Sequence, residues 1–579
     1  MNDSHVKTGR LTLTRLILQS SPKLLWSSLT LSLVAGICYS LIIPFLMHGI
    51  GPGGMLDPAA RAQGWLAENF AVLFFTLCLV TFGAKAMSLI LVTYLVKDLA
   101  ADMRIRLCRK INRASVQDID TFGMARLTNI LVEDIGRVSF AAVCLPMVAV
   151  QVTTVTGMLV YLAWLDWRVF LCAVAVIVGG LFLNRIPLRI SLGYMEQSRR
   201  IRDQVQGGVK GIVFGAYELK LAREKSEQFL EQEVVGPELK AARIDKIADT
   251  YLHVAGSFVE LISFFVIGLV AFVLPRYFSF QLTDIYAIVM ALLYVMLPIM
   301  MAYMLLPNIQ RGSVALAQIE ELEALIEEPV AGEPIGAWST FEVRNLQYRY
   351  HNAAEPGEGF RLQPITLRFR RGEVVFVVGG NGSGKSTLSK LISLHYAAES
   401  GEIRFDDTRV GPHNLGAARE QIAVIYSNYY LFERVYGPLD SAREAAMQKY
   451  LQLFGLQDKV RFEAGRFSTT KLSDGQRRRL ALVVALLDDR QIYLLDEWAA
   501  DQDPEFREIF YTQVLQQMRA DGKLVIVITH DDRYFHHADR VVVMEFGGVR
   551  QETQRQHGPA PLPRSFGTSQ AHGPVALQS

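Results

Sequence analysis

Six apolar runs, each close to the length needed to cross a bilayer, fill the first 320 residues and then stop. A membrane-spanning helix needs about 20 mostly apolar residues to cross about 30 Å of hydrocarbon. The runs at 24–47, 140–165 and 285–307 hold no charged residue, 70–96 holds only Lys85, and 252–275 holds only Glu260. The run at 169–183 is short and spans only by borrowing 184–190, which places a helix over 169–190. Pro298 predicts a kink in the sixth. A central Lys85 costs about 3 kcal/mol, but some fifteen Leu, Ile, Val and Phe in that run return about 0.3–0.6 kcal/mol each, so insertion wins. The first run is too long for a signal-peptide core, and no small-residue cleavage site follows Met47, so it reads as a retained helix. With 51% apolar and 20% charged residues, the chain is no disordered polymer, collagen-like fibre, small disulfide scaffold or ordinary soluble enzyme.

Charge gives the orientation. Lys7, Arg10, Arg15 and Lys23 precede the first run, and the connections 97–139 and 184–251 hold eight and twelve Lys or Arg. The opposite loops offer Arg61, Arg168 and Arg276. Positive residues stay inside, so the N-terminus and both long connections are expected in the cytoplasm, and six crossings return the rest of the chain there. The long connections mix apolar and charged residues at helical spacing, as if the membrane helices continued into the cytoplasm as amphipathic rods. A net charge of +2 offers no field for nucleic acid. The five cysteines have no metal-ligand spacing and read as small buried hydrophobes.

The acidic segment 320–328 and the turn-rich 329–338 join this region to a different composition. The expected domains are a transmembrane region over 1–320, a linker over 321–340, a soluble α/β domain over 341–553, and a disordered tail over 554–579 rich in Gln, Pro, Gly and Ser.

The α/β domain carries the chemistry. A buried strand EVVFVV at 373–378 runs into Gly379, Gly380, Asn381, Gly382, Ser383, Gly384, Lys385 and Ser386, followed by a helix from Thr387. This is G-x-x-x-x-G-K-S between strand and helix, the context a phosphate-binding loop requires. Glycines let backbone N–H groups close around phosphates, and the helix N-terminus adds positive potential. Lys385 should reach the β- and γ-phosphates, and the Ser386 hydroxyl should hold Mg²⁺. About 100 residues later, Ile492, Tyr493, Leu494 and Leu495 end in Asp496 and Glu497. Asp496 suits Mg²⁺ through water, and Glu497 is placed to polarise the attacking water. Together with the glycine loop, this strand makes a nucleoside triphosphatase.

Leu472, Ser473, Asp474, Gly475 and Gln476 open a basic-apolar helix just before that strand, and a second strand, 524–529, ends in His530. The order LSxGQ, DE-terminated strand, strand ending in His, all after a phosphate loop, resembles the nucleotide-binding domain of ABC transporters over the whole of 341–550. The resemblance implies head-to-tail dimers that bind ATP between one subunit's phosphate loop, Gly379 to Thr387, and the other's Ser473, Gly475 and Gln476. It assigns adenine stacking to Tyr350, with Tyr348 as alternative. It assigns communication across the dimer to Asp503 and γ-phosphate contact to His530. Six crossings before one such domain resemble an exporter-type half-transporter, and both halves of a site in one chain imply a homodimer.

Two departures stand out. Ser427 occupies the place of the usual Gln, and its shorter side chain reaches less far towards a metal. Asp474 stands where Gly is usual, and its carboxylate should point away from phosphate. Ser427 together with DEWAADQDP at 496–504 and YELKL at 217–221 resembles the cyclic-peptide exporter group, which includes exporters of syringomycin-like lipopeptides, pyoverdine-type siderophore precursors and lariat microcins. That implies a peptide or siderophore substrate carried across a bacterial inner membrane by alternating access, with room for periplasmic or outer-membrane partners. A lipid flippase or multidrug exporter on the same scaffold is the alternative, and a membrane-anchored regulatory ATPase a third reading. Lys85 and Glu260 are the substrate-site candidates, because ionisable groups inside a membrane face the bundle interior, a cavity or one another.

Overall fold

A computed structural model describes residues 22–50, 69–278, 282–329, 332–350 and 359–554. The chain divides into two units: Met1–Cys108 with Ala125–Ala324, and Arg109–Met124 with Leu325–Ser579.

The first unit is helical. Its elements are α1 (Pro22–Ile50), α2 (Phe70–Arg113), whose last turn belongs to the second unit, α4 (Met124–Leu165, with a π-type turn at Ile130–Asp134) and α5 (Trp167–Phe214). Short helices α6 (Ala216–Lys220) and α7 (Arg223–Phe229) lead through a π-type turn at Leu230–Val235 into α8 (Gly236–Gly268), which helical turns extend to Arg276. The last is α9 (Leu282–Glu323). The short α3 (Val116–Phe122) lies in the second unit. Among the described residues five helices, α1, α2, α4, α5 and α9, are long and apolar enough to cross a membrane. The crossing expected at 252–275 falls in α8 and its extension, where the apolar segment Phe264–Arg276 is shorter.

Where hydrocarbon surrounds helices, small side chains and internal hydrogen bonds hold them together. Ser88 of α2 joins Ser28 and Ser32 of α1, with Oγ–Oγ separations of 3.1 and 2.7 Å. A Cβ added at Gly36 would meet Thr153 Cβ at 2.6 Å, and one at Gly312 would meet Ala141 Cβ at 2.2 Å, so α1 and α9 press closely on α4. The Ser191 hydroxyl donates to the Ala248 carbonyl at 2.9 Å, joining α5 to α8. Large apolar side chains such as Phe75, Phe82, Phe182 and Phe272 face outwards.

The second unit is layered α/β. Strands β1 (Thr340–Arg349), β2 (Arg361–Arg370), β4 (Ser400–Phe405) and β5 (Thr408–Arg409) form one sheet in the order β2-β1-β4-β5. The larger sheet has the order β12-β11-β3-β10-β9-β6. It contains β3 (Val374–Gly379), β6 (Ile422–Ile425), β9 (Ile492–Asp496), β10 (Leu524–Ile528), β11 (Arg540–Glu545) and β12 (Gly548–Gln554). All but the edge strand β12 are parallel, so β3, β9 and β10 are buried on both faces and read as unbroken apolar runs. Val374, Phe376 and Val378 face the helices, whereas Val375 and Val377 face the smaller sheet. Helices α10 (Lys385–Ile392), α11 (Leu415–Arg419), α12 (Ser441–Leu453), α13 (Asp474–Leu487), α14 (Pro504–Ile509) and α15 (Leu515–Ala520) complete the layers, with the small hairpin of β7 (Phe462–Glu463) and β8 (Arg466–Phe467). Of the tail expected from 554 onwards, Gln554 closes β12 and the rest lies outside the described residues.

Candidate functional site

In open parallel sheets, ligands bind beyond the carboxyl ends of the strands. The motifs converge there. β3 ends at Gly379, whose φ of 154° and neighbours exclude a side chain: a Cβ would lie 2.3 Å from the Met544 carbonyl oxygen. The loop turns through Gly382 and Gly384, at φ 76° and 99°, both in the left-handed region open to glycine. It then enters α10, whose first turn holds Lys385, Ser386 and Thr387. Asn381, Gly382 and Ser386 are exposed, and Ser383 is buried.

Lys385 is buried, and its Nζ donates to the carbonyls of Gly379 at 2.8 Å and Gly380 at 3.1 Å. Burial lowers its pKa, against the opposing pull of Glu497 and Asp496. Asp496 is buried at the end of β9, and burial together with the neighbouring Glu497 pushes it up to about 6, although Lys385 and Arg478 pull the other way. Glu497 takes a left-handed backbone at φ 51°, unusual for a residue with a side chain. Two bonds hold it there: its N–H donates to the Ile528 carbonyl at 3.0 Å, and its own carbonyl accepts from Arg478 Nη1 at 2.5 Å. The turn aims the Glu497 carboxylate at His530, with Nε2 and Oε1 3.2 Å apart. Such local strain at a constrained carboxylate is a mark of functional sites.

Among the described residues, no group of three or more His, Cys, Asp or Glu could by itself hold a metal ion. Asp496 and the Ser386 hydroxyl nevertheless fit Mg²⁺, which binds through one or two protein ligands together with phosphates and water. A buried carboxylate pushed up to about 6 is a site that a cation would relieve.

The remaining predicted residues fall into two places. Ser473 caps α13 and forms a reciprocal capping box with Gln476. Gly475 packs where a Cβ would stand 3.0 Å from the Asp501 carbonyl, and Asp474 is exposed in the first turn of the helix. Asp503 caps α14, accepting from the Phe506 N–H at 3.0 Å. Tyr350 lies at the end of β1, its hydroxyl 3.5 Å from Thr387 Oγ1. Tyr348 is buried in the core between the sheets, where burial, Tyr396 and Tyr350 push its hydroxyl up to about 12. Ser427 is exposed after β6. Lys85 lies elsewhere, in α2, its Nζ 5.2 Å from the centre of the Tyr39 ring. Glu260 lies in α8, and its side chain is outside the described residues.

Several contributors have no motif of their own. Arg478 pairs with Asp501 at 2.7 Å while holding Glu497. Trp498 Nε1 donates to the Arg478 carbonyl at 2.8 Å, and Gln502 donates to the Gly475 carbonyl at 3.2 Å. These bonds tie the LSDGQ helix to the segment following Glu497, and they use the Trp and Gln that make DEWAADQDP uncommon. On the far side of α10, Asp120 of α3 accepts from Lys390 at 3.0 Å and from the Tyr396 hydroxyl at 2.8 Å. Burial pulls the Lys390 ammonium down, but the Tyr396 and Asp120 bonds outweigh it and hold it above the usual lysine range. Tyr396 in turn packs 5.4 Å from Tyr348 and 6.2 Å from Tyr350, centre to centre.

Residues 362–500 match the family model described as ABC transporter. The chain is 31% identical over 465 residues to the ATP-binding protein SyrD of Pseudomonas syringae pv. syringae, covering 77% of this chain and 81% of that one. It is 26% identical to an ATP-dependent lipid A-core flippase of Dechloromonas aromatica, covering 95% of each. It is 24% identical to the corresponding flippase of Albidiferax ferrireducens, over 88% of this chain and 89% of that one. A solved bacterial Atm1-family ABC exporter with ATP bound shares the fold, with a TM-score of 0.70 at 17% identity over 91% of this chain and 94% of its own.

Proposed function

The chain belongs to the ABC transporter family, as an exporter-type half-transporter that couples ATP hydrolysis to transport, and we propose that two copies export a peptide-derived natural product by alternating access. The single observation that carries the catalytic part is the Glu497–His530 pair, 3.2 Å apart beside Lys385 and Asp496.

In this reading Lys385 exchanges its bonds to the Gly379 and Gly380 carbonyls for bonds to the β- and γ-phosphates. Ser386 and Asp496 hold Mg²⁺, which supplies charge neutralisation on the phosphates. Glu497 orients water in line with the γ-phosphorus and accepts its proton, while the bond to the bridging oxygen of ADP breaks. His530 fixes the Glu497 carboxylate and meets the γ-phosphate. Ser473, Gly475 and Gln476 of one copy close over the phosphate loop of the other, so the site is complete only in the dimer. Tyr350 stacks on adenine. The placement is a bacterial inner membrane, with the N-terminus and the ATPase unit cytoplasmic.

The substrate class rests on DEWAADQDP, Ser427 and YELKL, and on the higher identity to SyrD (31%) than to the two flippases (26% and 24%). A lipid flippase is the second reading, favoured by flippase relatives that cover as much as 95% of the chain. Glu497→Gln should retain ATP and lose steady-state turnover by about a hundredfold or more. Undiminished ATPase would remove Glu497 as the base. Uptake of a labelled lipopeptide or of a lipid into inverted vesicles separates the two substrate readings.

A further inference from the structure

One end of the membrane unit holds a cavity of about 1350 Å³. It lies between the last turns of α1 and α4 and the first turns of α2 and α9, so four helix ends border it. Its size exceeds the ~300–1,000 Å³ common for small-molecule sites. Apolar side chains such as Leu73, Leu77 and Met290 form most of its wall. Aromatic faces add to it: Tyr161 and Trp164 stack with centres 6.3 Å apart, and Trp164 is 78% exposed. Among the described residues that line it, Asp284 is the only Asp, Glu, Lys or Arg, and His48 is the only histidine.

Asp284 has a fixed place at a helix end. It stands in the first turn of α9, where the aligned peptide dipoles favour a negative group. The cavity therefore joins a long apolar wall to one negative charge and several π faces, a combination that attracts a cation. Anionic head groups are recognised by Arg or Lys, and the described lining residues supply neither. Lys85, the membrane lysine that sequence reading singles out, stands against Tyr39 and does not line it.

The geometry points to this cavity as a binding site for a cationic amphiphile, an acyl chain in the apolar wall with a protonated amine against Asp284. The assignment rests on the export reading above and narrows its cargo to acylated, amine-bearing peptides. It also makes anionic lipids poor occupants.

The test is binding to the full chain in nanodiscs of zwitterionic lipid, without ATP, so that it can succeed or fail independently of transport. Radiolabelled dodecanoyl-dilysine amide is the probe, with dodecyl phosphate and dodecyl maltoside as competitors. The dilysine probe should bind about tenfold more tightly than either competitor. Asp284→Asn should erase that preference while leaving the affinity for dodecyl maltoside unchanged. Asp284→Glu should keep it, and Leu77→Trp should weaken all three by filling the cavity. Equal affinities for the three in the unaltered protein would mean a cavity filled by any acyl chain, bilayer lipid included, and would overturn the assignment. A preference for the cation that survives Asp284→Asn would overturn it equally. An unchanged unfolding transition and a monodisperse nanodisc preparation report that Asp284→Asn is folded. If lipopeptide uptake fails while the Asp284-dependent preference stands, the export reading falls and the site remains.

Discussion

Replacing Asp496 by Asn should make the nucleotide-free protein more resistant to unfolding and at the same time remove its function. Burial and Glu497 push this carboxylate from its ordinary 3.8 up to about 6. A raised carboxylate pKa means the folded state resists the charge. The penalty is absent below pH 3.8, grows as pH rises through 6, and is complete at pH 7. At about 1.36 kcal/mol per pH unit, ionisation costs the folded ATPase unit about 3 kcal/mol at pH 7 and only about 1 kcal/mol at pH 4.5. Asp496 is 6% exposed, so solvent screens little of this. A neutral side chain of the same shape removes the cost. At about 2–4 °C per kcal/mol for a unit of this size, the ATPase-unit transition should rise by about 6–12 °C at pH 7 and by about 2–4 °C at pH 4.5. Differential scanning fluorimetry of the full chain without nucleotide measures both. With ATP and Mg²⁺ the order should reverse, because only the carboxylate form gains the stabilisation that ligand binding brings, about 2.7 kcal/mol at a hundred times Kd. An equal shift at the two pH values, or a loss of stability at pH 7, would refute the charge argument. A variant that kept wild-type stabilisation by Mg²⁺ and ATP would refute the metal assignment.

Gly379→Ala should cost about 2–4 kcal/mol and weaken ATP binding at least tenfold by equilibrium titration, because the new methyl would stand 2.3 Å from the Met544 carbonyl that pairs with this strand. Tyr350→Ala should raise the Kd for ATP about fivefold with little change in melting temperature, the loss of one stacked ring. Tyr348→Ala should instead cost about 3–5 kcal/mol of stability, as for an aromatic cut from a core. Asp120→Asn leaves Lys390 half-buried with a weaker partner. Hydrogen exchange across Val116–Phe122 should therefore quicken by about fivefold, a local loss of about 1 kcal/mol.

The phosphate loop, the DE-terminated strand and the LSDGQ helix were legible because each requires particular residues at fixed spacing, and a local run of sequence carries that requirement. Helix lengths were legible in part. The apolar run at 70–96 marks a crossing, and the amphipathic spacing after it carries α2 on to Arg113, as expected of a helix continuing beyond the membrane. Tyr350 and Tyr348 look alike in sequence. Both are aromatic and two residues apart, and only the packing of β1 shows which is buried in the core and which reaches Thr387. Arg478, Trp498 and Gln502 gave no signal, because their work is to bridge backbone carbonyls that folding alone brings near.

By itself the sequence determined that this chain enters a membrane repeatedly and then builds a phosphate-binding α/β unit, because hydropathy and loop chemistry act over short stretches. The tertiary structure alone decided that α3 folds with the ATPase unit, that the Glu497 backbone is held left-handed against His530, and that Asp284 faces an apolar cavity while Lys85 lies against a tyrosine. Each of these is a contact between residues far apart in the chain, set by packing and by the need to satisfy buried polar groups, and no local pattern encodes it.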